Sequence, residues 1–477
     1  MDVCSLLRNV AVKQVLHYKK AEITKIDTDG RCVSEGSLFV CLTGGRLDGH
    51  DYVHQAEERG AVALLTEREV ESGLPQFIVE DTRVALAKIA GNFYHNPAEE
   101  LKIITVVGTN GKTSTADILC EIFTHAGYSA ATIGTLGYKV DGLRKEGCLT
   151  TPDPVELHKN LADMLEKGVE YVILEASAHA IYYRKLAGIK AKATIFTNIT
   201  QDHLDFFQNM ENYAATKLSY FTHANTALAI VNSDDEYGRK LIASHTVPVI
   251  TYGLNNPADV FAIDREEGEN GLRFTLNAFD RIEEIRTALF GTFNVYNVMA
   301  ATATAMYFGV PLPVIACALG KMKRVPGRYE VMMVKGRKVI VDYAHTPDGL
   351  ENLLKDAKEN KKRALITVFG CGGNRDRSKR PLMGEIASRY SDQVIITDDN
   401  PREEEEEAIA KAIQNGVLAD CFCEIVLDRK KAIQRAFELS EEGDTIVIAG
   451  KGHENTMEIK GQKLPYNDFW VLRELDR

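Results

Sequence analysis

The chain contains no long uncharged apolar run. No window reaches the roughly 18 consecutive apolar residues that a membrane helix needs, although 45% of the 477 residues are hydrophobic. The apolar stretch at the N-terminus includes Asp2 and Arg8, so we expect no secretory signal. These absences predict a cytoplasmic protein that has no membrane partner.

The cysteines show no pairing pattern, and positive charge is in the minority, with 57 Lys and Arg against 68 Asp and Glu. The nine cysteines are scattered without metal-ligand spacing, and Cys421 and Cys423 are the only close pair. This usage is typical of reduced thiols in the cytosol. The net charge of −11 argues against a general nucleic-acid binder, so we expect no nucleic-acid partner. An anionic substrate must therefore bind in locally basic pockets.

The most informative motif lies at residues 105–113 and reads Thr-Val-Val-Gly-Thr-Asn-Gly-Lys-Thr. An apolar run ends at this Gly-rich turn and a helical pattern follows it, which predicts a strand, a phosphate loop and a helix. In such a loop, backbone N–H groups and the helix N-terminus bind polyphosphate, Lys112 reaches the β/γ-phosphates and Thr113 holds Mg²⁺. The usual motif has its first Gly where this chain has Val106.

Alternating apolar runs and helical patterns predict an α/β fold with three α/β domains. We expect a small N-terminal domain over residues 1–98 and a central P-loop ATPase-like domain with a mainly parallel sheet over 99–327. A Rossmann-like C-terminal domain is expected over 328–477, after a hinge at Pro326-Gly327. We find no internal repeat, and the run Glu403–Glu407 is predicted to be the acidic first turn of a helix.

Several polar clusters follow apolar strands, where α/β proteins carry their sites. Glu175 follows the run 171–174, and Asp202-His203-Leu204-Asp205 follows the run that ends at Phe196. A carboxylate and an imidazole at adjacent strand ends could both reach a metal above the phosphate loop. The alternative for His203 is a hydrogen-bonded loop histidine.

Taken in order, the clusters resemble the motifs of one family, the Mur ligases, over nearly the whole chain. The matching segments are Gly108-Thr109-Asn110-Gly111-Lys112-Thr113, Thr150-Thr151-Pro152, Glu175-Ala176-Ser177-Ala178-His179, Thr197-Asn198, Asp202-His203-Leu204-Asp205, Tyr213-x-x-x-Lys217, Gly291-x-Phe293-Asn294-x-x-Asn297, Pro326-Gly327-Arg328, Asp342-Tyr343-Ala344-His345, Gly370-Cys371-Gly372-Gly373-Asn374-Arg375-Asp376 and Gly450-Lys451-Gly452-His453-Glu454. The resemblance implies an ATP-dependent ligase that joins a carboxylate to an amine through an acyl phosphate. The short form of the phosphate loop is the form this family uses, so Val106 supports the assignment.

Within the family, the chain is most similar to the tripeptide-synthetase branch, which adds the third residue of the peptidoglycan stem peptide. This implies ATP, Mg²⁺, UDP-N-acetylmuramoyl-L-alanyl-D-glutamate and a diamino acid as the small-molecule partners of a monomer. The segment Asp399-Asn400-Pro401-Arg402 goes with meso-diaminopimelate in this branch, and lysine-adding relatives usually lack the Arg. An Arg fork can bind the second carboxylate of diaminopimelate bidentately, whereas lysine would leave a buried Arg unpaired.

The resemblance also implies roles for single residues. Catalysis is expected to involve Lys112, Glu175, His203 and Lys217. Two Mg²⁺ ions are expected, the first on Thr113 and the second on Glu175 and His203, with a carbamoylated Lys217 that orients the metal. The expected nucleotide-binding residues are Gly108, Thr109, Asn110, Gly111, Lys112, Thr113, Ser114, Asn294, Asn297, Arg328, Asp342 and His345. The expected substrate-binding residues are Asp29, Arg31, Thr150, Thr151, Ser177, Lys185, Arg375, Asp399, Asn400, Arg402, Gly450 and Glu454. The alternatives are an unmodified Lys217 near phosphate, a helix-capping Asn297 and a turn residue at Gly450.

Departures from the family pattern concern the N-terminal substrate contacts. Asp29-Gly30-Arg31 stands where relatives often read Asp-Ser-Arg, so one hydroxyl contact is missing. Ala176 and Ala178 replace the more usual Val and Ser of the Glu-Val-Ser-Ser-His motif. Lys185 occupies the place of an Arg for the dipeptide, and because lysine is a point charge, the neighbouring Arg184 could take over that contact.

Three other functions compete with a diaminopimelate-adding ligase. A Mur-type ligase could add L-lysine or act on a related wall precursor. A folylpolyglutamate synthase-like ligase would share the phosphate loop but not the Asp399–Arg402 segment, and Asp48-Gly49-His50 resembles a UDP-binding domain more than a folate-enzyme extension. A non-enzymatic nucleotide-binding regulator could keep Lys112 but would have no need of Lys217 or the C-terminal pocket.

Overall fold

The computed structural model describes residues 1–45, 47–140, 142–145, 147 and 149–477. Three large sheets, formed by successive parts of the chain, carry helices on their faces. This confirms the predicted α/β class and the three-domain organisation. The domain boundaries after residues 98 and 327 stay a prediction.

The N-terminal sheet has five strands in the order β1-β5-β4-β3-β2. Its strands are β1 Val12–Leu16, β2 Lys25–Asp27, β3 Ser37–Val40, β4 Ala61–Thr66 and β5 Gln76–Val79. Its helices are α1 Val3–Leu6, α2 Val53–Glu58 and α3 Thr82–Phe93, with a 3₁₀ turn at Gly49–Tyr52. Only β1 runs antiparallel to its neighbour, so the unit is a small parallel sheet with one reversed edge.

The central sheet is the largest, with eleven strands. They are β6 Lys102–Val107, β7 Ala130–Gly134, β8 Gly137–Val140, β9 Leu143–Lys145, β10 Tyr171–Glu175, β11 Ala193–Phe196, β12 Ala229–Asn232, β13 Val249–Tyr252, β14 Val260–Gly268, β15 Gly271–Ala278 and β16 Arg281–Thr287. The helices are α4 Pro97–Glu100, α5 Lys112–His125, α6 Pro154–Glu166, α7 Ala178–Tyr182, α8 Leu204–Phe207, α9 Met210–Leu218, α10 Glu236–Ser244, α11 Thr292–Tyr307 and α12 Leu312–Lys321.

The position of β6 in this sheet determines where the phosphate loop lies. The strand order is β16-β15-β14-β13-β12-β11-β6-β10-β7-β8-β9, so β6 lies near the middle. It pairs in parallel with β10 and β11, and its residues 103–107 are fully buried. The antiparallel pairs are at the two ends, β14 to β16 and β7 to β9. Because β6, β10 and β11 are parallel, their polar C-terminal residues meet at one edge.

The C-terminal sheet has the order β17-β18-β22-β19-β20-β21, and a separate hairpin pairs β23 with β24. The strands are β17 Glu330–Val334, β18 Arg337–Asp342, β19 Leu365–Phe369, β20 Gln393–Ile396, β21 Phe422–Ile425, β22 Thr445–Ala449, β23 Thr456–Ile459 and β24 Gln462–Pro465. The helices are α13 Pro347–Glu359, α14 Lys379–Tyr390, α15 Glu406–Gln414, α16 Arg429–Leu439 and α17 Asp468–Leu475. Only β17 is antiparallel to its neighbour in the main sheet, which fits the Rossmann-like prediction.

The acidic run Glu403–Glu407 is only partly the helix start that the sequence predicted. Glu406 and Glu407 form the first turn of α15, where the helix dipole favours them. Glu404 precedes the helix and forms ion pairs with Arg380, at 3.0 Å, and Arg377, at 3.1 Å. The prediction was wrong for Glu403 and Glu404, which precede the helix, and Glu405 is its N-cap. The pairing of Glu404 depends on where α14 and the residues before it lie, which the acidic run does not specify.

The cysteine thiols and the hydrophobicity of the helices are the two properties that bear on the composition-based predictions. Every cysteine in the described part of the chain is a free thiol, and Cys148 lies outside that part. No helix within the described ranges is long and apolar enough to span a lipid bilayer.

Candidate functional site

The phosphate loop has the predicted form. β6 ends at Val107, α5 begins at Lys112, and residues 108–111 connect them. Gly111 has φ +82°, and a Cβ at this position would lie 2.5 Å from Asn297 Oδ1. A side chain would therefore be strained and would collide with α11, so this position requires glycine.

Backbone amides at the start of α5 are the donors that this loop can offer to an anion. The amides of Thr109 and Asn110 already donate to Asn198, to its backbone O at 2.8 Å and its Oδ1 at 2.9 Å. The first N–H groups of a helix have no partner within it, and the helix dipole adds partial positive charge. The first turn of α5, from Lys112 onward, is therefore the anion-binding end.

Two lysines meet at one carbonyl of the loop. Lys112 Nζ donates to Gly108 O at 3.0 Å and to Thr109 O at 2.8 Å, and Lys217 Nζ also donates to Gly108 O. Burial lowers the pKa of Lys112, and burial together with the charge of Lys112 lowers the pKa of Lys217 well below its usual value. Lys217 is only 1% exposed. The arrangement therefore disfavours a second ammonium at Lys217.

Glu175 lies at the C-terminal end of β10, against the first turn of α5. Its Oε2 accepts hydrogen bonds from Thr113 Oγ1 and Thr135 Oγ1, both at 3.1 Å, and its Oε1 accepts one from Thr135 N at 3.0 Å. Arg328 Nη2 donates to the same Thr113 hydroxyl at 3.1 Å. A carboxylate and a hydroxyl side by side are ligands that Mg²⁺ prefers.

His203 precedes α8 in a left-handed conformation, with φ +55°. Its Nε2 is 3.3 Å from Asp202 Oδ2, and its ring is 4.8 Å from the ring of His179. Burial lowers the pKa of His203 to about 3, so the imidazole is neutral and has a nitrogen lone pair. The left-handed backbone conformation of His203 is strained for a non-glycine residue, and such strain is often found at functional sites.

The predicted metal ligands do not form a conventional acidic cluster. Within the ranges that the structure describes, no group of three or more His, Cys, Asp or Glu side chains is arranged to hold a metal. The predicted set contains only one carboxylate and one imidazole, with Thr113 and Lys217 as the other members. Its fit to Mg²⁺ therefore depends on an anionic, carbamoylated Lys217, which would add oxygen donors to those of Glu175 and Thr113.

Helix α13 of the C-terminal unit contacts the nucleotide-binding part of the central unit at two places. Near its start, Asp348 Oδ2 accepts a hydrogen bond from Asn110 Nδ2 at 2.7 Å. Near its end, Asp356 Oδ1 accepts one from the backbone N of Thr292 at 3.1 Å, at the first residue of α11. One helix therefore links the phosphate loop to the helix that carries Asn297.

The predicted asparagines and aspartate of the nucleotide site form hydrogen bonds within the protein. Asn297 Nδ2 donates to Asn294 Oδ1 at 2.9 Å, and Asn297 Oδ1 accepts from Thr115 Oγ1 at 3.1 Å. Both asparagines lie inside α11, whose N-cap is Gly291, so Asn297 does not cap a helix. Asp342 accepts from the backbone N of Tyr329 at 2.7 Å, and burial raises its pKa.

A cleft of about 1020 Å³ joins the central and C-terminal units. The predicted residues that line it are Thr109, Asn110, Gly111, Lys112, Thr113, Ser114, Thr150, Ser177, His203, Lys217, Asn297, Arg328, Asp342, His345, Arg375, Asp399, Asn400, Arg402, Gly450 and Glu454. Those that do not line it are Gly108, Asn294, Glu175, Thr151, Lys185, Asp29 and Arg31. The first five of these belong to the central unit, and the last two to the N-terminal unit.

In the part of the cleft that the C-terminal unit lines, a hydrogen-bonded group surrounds Glu454. Its Oε2 accepts from Asn400 Nδ2 at 2.9 Å and from Lys451 Nζ at 2.7 Å, and Asn400 Nδ2 also donates to Asp399 Oδ1 at 3.0 Å. Gly450 donates its N–H to the carbonyl of Asp342 at 3.1 Å. The predicted amino-acid pocket thus lies directly beside the predicted nucleotide residues.

Arg402 is not the unpaired buried cation that the sequence argument assumed. Its Nε donates to Glu458 Oε2 at 3.1 Å and its Nη1 donates to Gly373 O at 2.8 Å. Lysine as a substrate would therefore leave this guanidinium with partners. Arg375 is exposed, and among the described residues its side chain donates only to its neighbour Asn374 O, at 3.1 Å, so it is available to a ligand.

The predicted contacts to the UDP-linked substrate fall into two places. Thr151 Oγ1 donates to the backbone O of Glu175 at 2.7 Å and accepts from the backbone N of Ser177 at 3.0 Å. Lys185 forms an ion pair with Asp153 at 2.8 Å. Asp29 and Arg31 pair with each other at 2.8 Å on the surface of the N-terminal unit, so the structure does not bring them to the cleft.

Sequence reasoning missed several residues that hold this site together. They are Thr135, Asp202, Asp348, Lys379 and Lys451. Lys379 donates to His345 O at 2.8 Å and Lys451 is fully buried. Asp202 and Lys451 lie within quoted motifs, and Asp348 and Lys379 each lie three residues after one, so this proximity was the available signal. Thr135 lies in no quoted motif.

Comparison with known proteins agrees with the geometry. Three family descriptions match: "Mur ligase family, catalytic domain" over residues 22–100, "Mur ligase middle domain" over 106–305, and "Mur ligase, glutamate ligase domain" over 327–452. These matches cover most of each of the three units.

Relatives resemble the chain over its full length. A UDP-N-acetylmuramoyl-L-alanyl-D-glutamate--2,6-diaminopimelate ligase from Syntrophomonas wolfei is 41% identical, over 100% of this chain and 99% of the relative. A solved structure with the same description is 31% identical, with a TM-score of 0.68 over 95% of this chain and 94% of that one. The MurF ligase of Thermotoga maritima in complex with ADP is 21% identical, with a TM-score of 0.66 over 90% of this chain and 94% of that one, and shows a shared fold.

The phosphate loop, the cleft between two α/β units and these full-length similarities lead to the same assignment. The chain belongs to the Mur ligase family.

Proposed function

We propose that this protein is an ATP-dependent ligase that adds meso-diaminopimelate to UDP-N-acetylmuramoyl-L-alanyl-D-glutamate, a step of peptidoglycan precursor synthesis. The proposal is supported by one cleft whose lining includes the phosphate loop as well as Arg402 and Glu454. One end fits a polyphosphate and the other fits a zwitterionic amino acid. Relatives that share about two fifths of the sequence over the full length are named for this reaction.

The reaction needs ATP because a free carboxylate is a poor electrophile. An oxygen of the substrate carboxylate attacks the γ-phosphorus, the bond from that phosphorus to the β,γ-bridging oxygen breaks, and ADP leaves. The neutral amine of the amino acid then attacks the acyl carbon, the tetrahedral intermediate expels phosphate, and the nitrogen loses a proton to give the amide. The protein contributes alignment and charge neutralisation.

The phosphate end of the cleft is suited to the first step. Lys112 and the N-terminal amides of α5 neutralise the transferring phosphoryl group and the developing charge on ADP. Arg328 brings a second cation to the same place through its hydrogen bond with Thr113. Asn297 and Asp342 also line the cleft, and they would contact the nucleotide.

Mg²⁺ fits the residues beside the loop. Thr113 would hold a first ion and Glu175 and His203 a second, a carbamoylated Lys217 would orient the metal, and the bound ions would neutralise phosphate charge. Mg²⁺ prefers oxygen donors, which the hydroxyl, the carboxylate and a carbamate supply. The neutral imidazole of His203 is compatible with a ligand role, because it has a free lone pair.

Carbamoylation of Lys217 is supported by its surroundings. Burial beside Lys112 lowers the pKa of Lys217 well below its usual value, and a neutral amine is the form that attacks carbon dioxide. The product is an anion in place of a second cation, which relieves the repulsion between the two lysines. The alternative is an unmodified, neutral Lys217 that only binds Gly108 O.

The amino-acid end of the cleft is suited to the second step. Glu454 can accept hydrogen bonds from a substrate ammonium, while Arg375 and Arg402 take its carboxylates. A second carboxylate distinguishes diaminopimelate from lysine, and two guanidinium groups lie along this end of the cleft. The site therefore fits an amino acid that has two carboxylates.

The test is release of phosphate with UDP-N-acetylmuramoyl-L-alanyl-D-glutamate and ATP, with meso-diaminopimelate compared against L-lysine. We expect turnover with diaminopimelate and at least tenfold lower kcat/KM with lysine, since a missing ion pair costs about 1.4 kcal/mol or more. Arg402→Ala should raise the KM for diaminopimelate and leave the KM for ATP unchanged. Equal activity with lysine would refute the specificity, and no phosphate release with either amino acid would refute the reaction.

Addition of L-lysine is the second candidate, because one observation favours it. Glu458 and Gly373 already satisfy two nitrogens of Arg402. A substrate without the second carboxylate would therefore not leave the guanidinium unpaired. The comparison of the two amino acids decides between these candidates.

A further inference from the structure

The β23–β24 hairpin holds the backbone of Arg402. Arg402 N donates to Glu458 O at 3.0 Å, and Lys460 N donates to Arg402 O at 2.7 Å. Between these two bonds Arg402 has φ +54°, a conformation that costs a non-glycine residue free energy. The hairpin therefore fixes where the side chain of Arg402 begins.

The side chain of Arg402 is fixed at two of its three nitrogens. Nε donates to Glu458 Oε2 at 3.1 Å, and Nη1 donates to Gly373 O at 2.8 Å. A Cβ on Gly372 would lie 2.9 Å from Nη1, so the backbone approaches the guanidinium closely there. Among the described residues, Nη2 has no hydrogen-bond partner. Because the guanidinium is planar, holding two nitrogens sets the direction of the third.

Glu458 is itself held in place by neighbouring residues. Its backbone N donates to Asn400 Oδ1 at 2.9 Å, and Asn400 in turn donates to Glu454 at 2.9 Å. Its carboxylate pairs with Arg402 and with no other cation among the described residues. The two side chains are 22% and 35% exposed, so the pair lies at the edge of the cleft and is not part of the core. Arg402 itself lines the cleft and Glu458 does not.

We propose that Glu458 is a positioning residue that determines amino-acid specificity through Arg402. It holds the guanidinium so that Nη2 presents its donors to the second carboxylate of the amino-acid substrate, and it does not touch that substrate itself. This role rests on the proposed function. Without Glu458, Arg402 keeps its charge but loses one of the two contacts that orient it, and a rotamer-rich side chain then has to be ordered by the substrate.

The test compares Glu458→Ala and Glu458→Gln with the wild-type enzyme in steady-state kinetics. We expect Glu458→Ala to raise the KM for meso-diaminopimelate about tenfold, with the KM values for ATP and the UDP-linked dipeptide changed less than about twofold. Glu458→Gln should recover most of this loss, because the amide oxygen still accepts from Nε. Glu403→Ala is the matched control, since Glu403 is an exposed carboxylate next to Arg402 and should change none of the three KM values.

A double-mutant cycle separates positioning through Arg402 from a general structural effect. In an Arg402→Ala background, Glu458→Ala should have no further effect on the KM for diaminopimelate. A tenfold rise that persists in this background would overturn the proposal, as would an unchanged KM in Glu458→Ala or an equal rise in the KM for ATP.

Wild-type turnover of diaminopimelate is measured first, so that two failures are distinguishable. If the wild-type enzyme does not use diaminopimelate, both the proposed function and this role are refuted. If it does, and Glu458→Ala behaves like the wild type, only this role is refuted. If Glu458→Ala does not fold, Glu458→Gln and Glu458→Asp decide: Gln should be close to the wild type and Asp, whose carboxylate is one methylene shorter, should show the rise in KM.

Discussion

Asp468→Asn should destabilise the C-terminal unit strongly, because Asp468 is the partner of a fully buried arginine. Arg429 on α16 and Asp468 on α17 are both 0% exposed and form two hydrogen bonds of 2.9 Å. Arg429 Nη2 also donates to Ala449 O at 2.9 Å, at the end of β22 and directly before Gly450. The pair therefore supports the strand end beside the predicted amino-acid pocket.

The magnitude follows from leaving a buried charge without its counter-ion. Removing one member of a buried ion pair costs about 3 to 5 kcal/mol. Asparagine keeps one oxygen acceptor for the guanidinium, so we take the lower end, about 3 kcal/mol. With a denaturant dependence of about 2 kcal/mol per M of urea, the midpoint of unfolding should fall by about 1.5 M.

The assay uses the only tryptophan of the chain. Trp470 lies in α17, two residues after Asp468, and is 47% exposed. Its fluorescence during urea unfolding reports on the C-terminal unit, which matters because a protein of three units need not unfold in a single step.

The control is a second ion pair between the same two helices. Lys430 and Glu474 are 2.6 Å apart, but their side chains are 47% and 58% exposed. Surface pairs of this kind contribute about 0 to 1 kcal/mol, so Glu474→Gln should shift the midpoint by less than about 0.5 M. Equal shifts for Asp468→Asn and Glu474→Gln, or a shift below about 0.5 M for Asp468→Asn, would contradict the reasoning.

Three further predictions concern the central unit and its contacts. Lys217→Ala should lower kcat about 100-fold or more, since a charged group at the phosphoryl-transfer site is lost. Intact-protein mass spectrometry under bicarbonate should show one carbamoyl adduct on the wild-type protein and none on this variant. Glu267→Gln should raise the thermal midpoint more at pH 8 than at pH 5. Burial and Asp356 raise the pKa of Glu267 to about 7, so the ionised native form is disfavoured and stability falls as pH rises through 7. Equal gains at both pH values would refute this prediction. Asn110→Ala and Asp348→Ala should raise the KM for ATP by non-additive amounts, whereas additive effects would mean that the contact between them does not matter.

Local order was predictable because it depends on local sequence. The apolar run that ends at Phe196 is a strand, Ala193–Phe196, and the helix after the phosphate loop begins at Lys112. Both follow from periodicity and from the glycine at position 111, which permits a left-handed turn. The site at the C-terminal strand edge was also predictable, because parallel strands bring their following loops together.

Pairings between distant side chains were not predictable in the same way. Asn110 and Asp348 are 238 positions apart, and Arg402 and Glu458 are 56 apart. Nothing in the local pattern around these residues specifies their partners, because polar side chains of this kind could equally face water. Arg402 therefore has partners, Glu458 and Gly373, that its own segment does not reveal.

Helix α13 limits how the C-terminal unit can move. Asp348 and Asp356 are eight residues apart, which corresponds to about 12 Å along a helix, and each is bonded to a different wall of the central unit. A rigid helix held at two positions cannot rotate about one of them without breaking the hydrogen bond at the other. A movement that separates α13 from the central unit therefore has to break both hydrogen bonds, the one at the phosphate loop and the one at the start of α11.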